Sequence, residues 1–188
     1  MGIMKTRHVS SRATGGGTHS TRTIRQREQD INKEVIDWLR DAYALERGLE
    51  GALKKHADND DLSPEVRRRA AAHLKETQRH AKEVQAALKS LGSDVSSLKT
   101  GLGKIALAAK GLGTAFAGDE RIKDLLDAYS MEHFEIACYT ALAAASEKAN
   151  LPQVTQMCRR ILEDEERMAE ALIDAIPTEV TSFILVEA

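Results

Sequence analysis

Apolar residues recur at helical spacing in four segments of this chain, and each stripe is interrupted by a carboxylate. The first segment is predicted as a helix over about residues 28–56. Val35, Leu39, Ala42, Leu49 and Leu53 share a face there, with Glu46 in its middle. A second helix is predicted over about 64–91, with Val66, Thr77, Val84 and Leu91 turned inward. His73 and His80 fall on that same face, and Glu76 lies about 60° to the side. The third, over about 119–148, aligns Leu125, Glu132, Ile136, Tyr139 and Ala143, with Glu135 on the edge of the stripe. The fourth, over about 152–175, carries Val154, Cys158, Ile161, Leu162, Met168, Leu172 and Ile176 around a central Glu165.

Breaks between the stripes define the connections. Asp58-Asn59-Asp60-Asp61 ends the first helix; Ser63 is a suitable N-cap and Pro64 fits the first position of the next. Gly92 closes the second helix, and Asn150-Leu151-Pro152 makes a tight turn before the fourth. Residues 93–118 form a long connection containing a repeated Gly-Leu-Gly pattern at 101 and 111. A link of that length needs a structural role, and a crossover with a short helix near 103–110 is expected. Its glycine spacing does not match a phosphate-binding loop. The expected organisation is a disordered tail over 1–27, an antiparallel four-helix bundle over 28–176, and a short C-terminal tail over 177–188.

Composition agrees with an all-α domain. In 188 residues there are only 3 prolines, and aromatics make up 4%, which argues against a β-sandwich or an aromatic nucleic-acid platform. No apolar run is long enough for a membrane span. The N-terminus has no continuous apolar region of the secretory type, so a cytoplasmic location is expected. Cys138 and Cys158 form neither a CxxC motif nor a disulfide framework. The net charge of −2 hides an asymmetry: residues 1–27 hold six basic residues and no acid, leaving 21 basic and 29 acidic residues in the body. A basic tail of this kind suits a solubilising role or a contact to DNA or another polyanion.

The two short turns bring the inward acids of each helical hairpin to roughly one height. If the hairpins pack face to face, Glu46, Glu76, Glu132, Glu135 and Glu165 converge midway along the bundle, with His73 and His80 beside them. Arg69 and Arg121 are the nearest cations on the inner faces, two to three turns away. Buried acids are normally paired, protonated or bound to metal. Hard oxygen donors with imidazole suit iron or manganese, and bundle interiors are where dinuclear carboxylate sites are built. The usual set is a glutamate from each of two helices and a Glu-x-x-His from each of the other two. Here the second helix reads His73-x-x-Glu76-x-x-x-His80, leaving either histidine as the nitrogen ligand. Met168 and Ala169 stand where a histidine would follow Glu165, and Glu135 offers a replacement. Tyr139 is either an ordinary core residue or a hydrogen-bond donor to the site.

At these residues the chain resembles the YciE/YciF-like family of ferritin-like proteins. The matching pieces are Asp41-Ala-Tyr-Ala-Leu-Glu46, His73-Leu-Lys-Glu-Thr77, Glu132-His-Phe-Glu-Ile-Ala-Cys-Tyr139 and Leu162-Glu-Asp-Glu165. The resemblance covers about residues 31–175. It implies a ferritin-like bundle with a short extra helix, a homodimer, a dinuclear metal site and a link to stress responses. On that basis the expected activity is oxidation of Fe(II) or consumption of peroxide, with Glu46 and Glu132 terminal or bridging, Glu76 and Glu165 bridging, and no further catalytic residue assigned. Two alternatives remain: a protective or interaction protein acting through its basic tail, and a structural bundle whose buried acids are protonated.

Overall fold

The structure, a computed structural model, describes residues 23–95 and 120–187. Four helices account for nearly all of them: α1 (Ile24–Ala57), α2 (Pro64–Ser90), α3 (Glu120–Lys148) and α4 (Pro152–Glu187). No strand occurs among the described residues. α1 packs along α2 and α3 along α4, and the two hairpins meet through α1 against α3 and α2 against α4. The crossover helix expected near 103–110 and most of the basic tail lie outside the described residues.

The helix ends follow local chemistry. α1 begins about four residues earlier than its apolar stripe suggests, because Thr23 and Gln26 form a reciprocal capping box. The Thr23 amide donates to Gln26 Oε1 (2.9 Å) and the Gln26 amide to Thr23 Oγ1 (3.3 Å). α2 starts as expected, with Ser63 Oγ accepting from the Val66 amide (3.3 Å) and Pro64 in the first turn. Its C-terminal turn closes at Gly92, whose φ of +70° suits glycine, and the Ser93 amide reaches back to the Leu88 carbonyl (2.9 Å). Asn150 takes the same left-handed role between α3 and α4, at φ 56°.

α4 does not stop before Pro177, as its sequence suggests, but runs on to Glu187. Proline withholds one N–H from the carbonyl four residues back. Tertiary contacts offset that loss. Glu179 is buried and its Oε1 accepts the Ser63 amide (3.2 Å) at the α1–α2 turn. The Arg121 guanidinium lies over the Phe183 ring, 5.6 Å from its centroid, while its Nη1 donates to the Asp61 carbonyl (2.8 Å). The expected tail is thus helical through 187 and packed at its base.

The apolar core is in two parts. One cluster gathers Val35, Leu39, Val84, Leu88, Leu142 and Ile161 with their neighbours; the other gathers Leu62, Val66, Leu125, Met168 and Leu172. Between them, at mid-height, sits a layer of polar side chains: Glu46, His73, His80, Glu132, Glu135 and Glu165, none more than 4% exposed. The surrounding apolar burial, about 1.5–3 kcal/mol per large side chain, is what holds such a layer in place.

Candidate metal centre

Each of the four helices contributes to the layer: α1 Glu46, α2 His73 and His80, α3 Glu132 and Glu135, and α4 Glu165. The two histidines are seven residues apart on α2, which is two turns, so both rings face the bundle axis at different heights. On α3 the inward face includes Glu132, Glu135 and Tyr139. Glu135, expected at the edge of the stripe, is only 1% exposed, while Ile136 is half-buried.

Glu165 sits between the histidines. Its Oε2 is 3.2 Å from His73 Nε2, which is also 3.2 Å from Glu132 Oε2. Its Oε1 is 3.0 Å from His80 Nδ1, which lies 3.6 Å from Glu46 Oε1. Two groups result, Glu46–His80–Glu165 and His73–Glu132–Glu165, each with donor atoms within 4.8 Å of one another. They share Glu165, so the two histidines expected as alternatives each serve one group. Tyr139 donates its hydroxyl to Glu46 Oε1 at 2.5 Å.

Glu76 is not between the groups. Its carboxylate lies behind His73, with Oε2 3.0 Å from Nδ1, and its side chain is 30% exposed. The expectation of a bridging Glu76 is therefore corrected: one helical turn from His73, it meets the outer nitrogen of the ring. The matching partner of His80 is Asp164, whose Oδ2 is 3.0 Å from Nε2. Sequence reasoning did not single out Asp164. The signal was its adjacency to Glu165, which turns it about 100° toward the α2 side. Arg69 and Arg121 stay away from the acids, donating to the carbonyls of Arg167 (3.1 Å) and Asp61 (2.8 Å).

The electrostatics reflect crowded burial. Burial pushes the carboxyls of Glu46 and Glu135 up; for Glu135 the charges of Glu165, Glu46 and Glu132 add to it. Glu132 is raised to about 7 by burial, against the pull of His73. Glu165 goes the other way. Burial would raise it, but the close approach of the His73 and His80 rings outweighs burial and holds it low. Burial would lower both histidines, yet the carboxylates beside them lift His73 to about 11 and His80 to about 10.

Many of these atoms are close without being hydrogen-bonded. Glu46 Oε2, Glu132 Oε2, Glu135 Oε1, both Glu165 oxygens and His80 Nδ1 are buried with no directed partner. An orphaned buried polar atom costs about 1–3 kcal/mol, so such a concentration in one layer calls for a bound species. The donor set is oxygen and imidazole nitrogen; neither cysteine belongs to it. This suits a hard or borderline divalent ion. A groove of about 310 Å³ between α2 and α4 includes His80 in its lining, with Arg79, Glu83, Arg160, Asp164 and Arg167 among others. A larger groove of about 660 Å³ lies toward the N-terminal end of α2, around Val66, Arg69 and Leu172, and none of the six layer residues lines it.

Comparisons with known proteins agree with this architecture. Residues 31–185 match a family described as a domain of unknown function, DUF892. A crystal structure of a protein from Xanthomonas campestris superposes with a TM-score of 0.71 at 34% identity, over 84% of this chain and 98% of that one. The Escherichia coli stress protein YciF gives 0.67 at 22% identity, over 80% and 97%. Dps from Thermosynechococcus elongatus gives 0.64 at 12% identity, over 79% and 93%, a likeness of fold alone. This chain belongs to the DUF892 family and has the fold of the YciE/YciF-like, ferritin-like four-helix bundles.

Proposed function

We propose that this protein holds a carboxylate-bridged dinuclear iron or manganese centre and uses it to oxidise Fe(II) or consume peroxide. The observation that carries the reading is the position of Glu165. One fully buried carboxylate offers a different oxygen to each of two histidine–glutamate groups, and both oxygens lack directed hydrogen bonds. Glu46 and His80 would complete one ion's protein ligands, and Glu132 and His73 the other's. Two redox-active ions held there would supply paired one-electron steps.

The chain's own residues have separable roles. His73 turns Nε2 inward and His80 turns Nδ1 inward, because Glu76 and Asp164 engage the opposite nitrogens. Tyr139 orients Glu46 through its hydroxyl. Glu135 is buried beside both groups, outside either one, and burial together with the charges of Glu165, Glu46 and Glu132 pushes its carboxyl up. The apolar clusters above and below exclude bulk water and keep the acids in register.

Metal analysis by mass spectrometry on protein purified without added metal or chelator tests the reading. About two iron or manganese ions per chain are expected in wild type, lost in Glu132→Ala/Glu165→Ala. Little metal in either, even after reconstitution with Fe(II) or Mn(II), would refute it. The charge asymmetry favours a second activity, polyanion binding by residues 1–27. A DNA gel shift that falls steeply with salt and disappears on deleting the tail would support that activity; its absence would exclude it.

A further inference from the structure

Both inward histidines lean on a carboxylate on their outer side, and one arginine approaches both carboxylates. His73 Nδ1 contacts Glu76 Oε2, and His80 Nε2 contacts Asp164 Oδ2, each at 3.0 Å. Arg167 pairs with Asp164 Oδ1 and stands 4.0 Å from Glu76 Oε1 through the same nitrogen, Nη2. Its other terminal nitrogen donates to the Glu163 carbonyl at 2.8 Å, which anchors the guanidinium on α4. Asp164 has a second cation in Arg79. Among the described residues Glu76 has only Arg167 and His73 within ion-pair distance.

We propose that Arg167 is a shared positioning residue, fixing both outer carboxylates and through them which ring nitrogen each histidine turns toward the metals. The proposal rests on the dinuclear reading above. A carboxylate that accepts the outer N–H of an imidazole fixes the ring's orientation and leaves the other nitrogen as the donor. Here the two rings present different nitrogens, Nε2 from His73 and Nδ1 from His80. A rotation of either ring would put carbon where nitrogen is needed. Arg167 is half-exposed, so its ion pairs contribute little to folding. Its effect belongs to orientation, and that distinguishes it from a structural arginine.

The test is a calorimetric Mn(II) titration of full-length wild type, Arg167→Ala, Arg167→Lys, Asp164→Asn and Glu76→Gln, beside urea unfolding of the metal-free proteins. Arg167→Ala should weaken both Mn(II) equivalents by about tenfold or more, with the urea midpoint nearly unchanged. Asp164→Asn and Glu76→Gln should each weaken one equivalent, and Arg167→Lys should recover part of the loss. Unchanged affinity in Arg167→Ala, an effect on one equivalent only, or a loss that merely tracks unfolding would overturn the proposal. NMR of the histidine ring protons gives a readout independent of metal. In Arg167→Ala the resonances of both His73 and His80 should shift; in Asp164→Asn only those of His80 should. If wild type binds neither Mn(II) nor, in the same titration run anaerobically, Fe(II), the dinuclear reading fails. The ring resonances then decide the role of Arg167, with both shifting in support and neither shifting against it.

Discussion

Replacing Glu165 with glutamine should abolish both metal positions, whereas Glu46→Gln or Glu132→Gln should abolish one. The asymmetry follows from connectivity. Glu165 faces His73 through Oε2 and His80 through Oε1, while Glu46 and Glu132 each belong to a single group. The magnitude is readable as thermal stability. An ion present at a hundredfold excess over its dissociation constant stabilises the folded state by about 2.7 kcal/mol. For a chain of this size about 1 kcal/mol moves the midpoint by roughly 2–4 °C. Each bound ion should therefore raise Tm by about 5–11 °C, and two ions by about twice that. Circular dichroism melts with and without Mn(II) should give the full rise in wild type, about half in Glu46→Gln and Glu132→Gln, and none in Glu165→Gln. Metal counted on the same samples should read about two, one and zero per chain. One retained ion in Glu165→Gln, or loss of both in Glu46→Gln and in Glu132→Gln, would refute the shared-carboxylate arrangement.

Other outcomes follow from the same layer and its surroundings. His73 and His80 are raised from 6.5 to about 11 and about 10 in the folded protein. Their contribution to stability is complete below pH 6.5 and is lost as pH rises through those folded values. Urea midpoints of metal-free protein should accordingly fall from pH 7 to pH 10, while saturating Mn(II) should blunt the fall; a flat metal-free profile would contradict it. Glu165, lowered from 4.5, acts in the opposite window, and its contribution should be lost as pH drops below 4.5. Tyr139→Phe removes the hydroxyl that serves Glu46 and should cost about 1–3 kcal/mol in urea unfolding. Glu179→Ala leaves the half-buried Ser63 amide without its acceptor; a loss of about 1 kcal/mol is expected there. No loss would mean that the α4 extension past Pro177 is not anchored through this contact.

The bundle was legible because its signal is periodic. Val35, Leu39 and Leu53 repeat on one face of α1, as do the inward residues of α2, α3 and α4, and the caps at Ser63, Gly92 and Asn150 mark the turns. Glu46, Glu132 and Glu165 stood out for the opposite reason, as charges in the middle of apolar stripes. What periodicity could not resolve was a matter of a fraction of a turn. Glu76 and Asp164 lie beside the inner face, and side-chain length and rotamer decide whether such a residue reaches the axis or turns behind a ring. Both turned behind a ring. Glu135 was expected at the edge of its stripe and is instead fully inside, because the rotation of α3 toward its neighbours is set by packing, not by its own spacing. Pro177 misled for a related reason: the local penalty of proline is visible in sequence, whereas the Glu179–Ser63 and Arg121–Phe183 contacts that offset it span long separations.

The most direct test is a crystal structure of Mn(II)- or Fe(II)-loaded protein with anomalous data collected at the metal edge. The account predicts two anomalous peaks inside the bundle on either side of the Glu165 carboxylate, one beside His73 Nε2 and Glu132, the other beside His80 Nδ1 and Glu46. A layer without peaks, or a single peak held by surface acids, would contradict it.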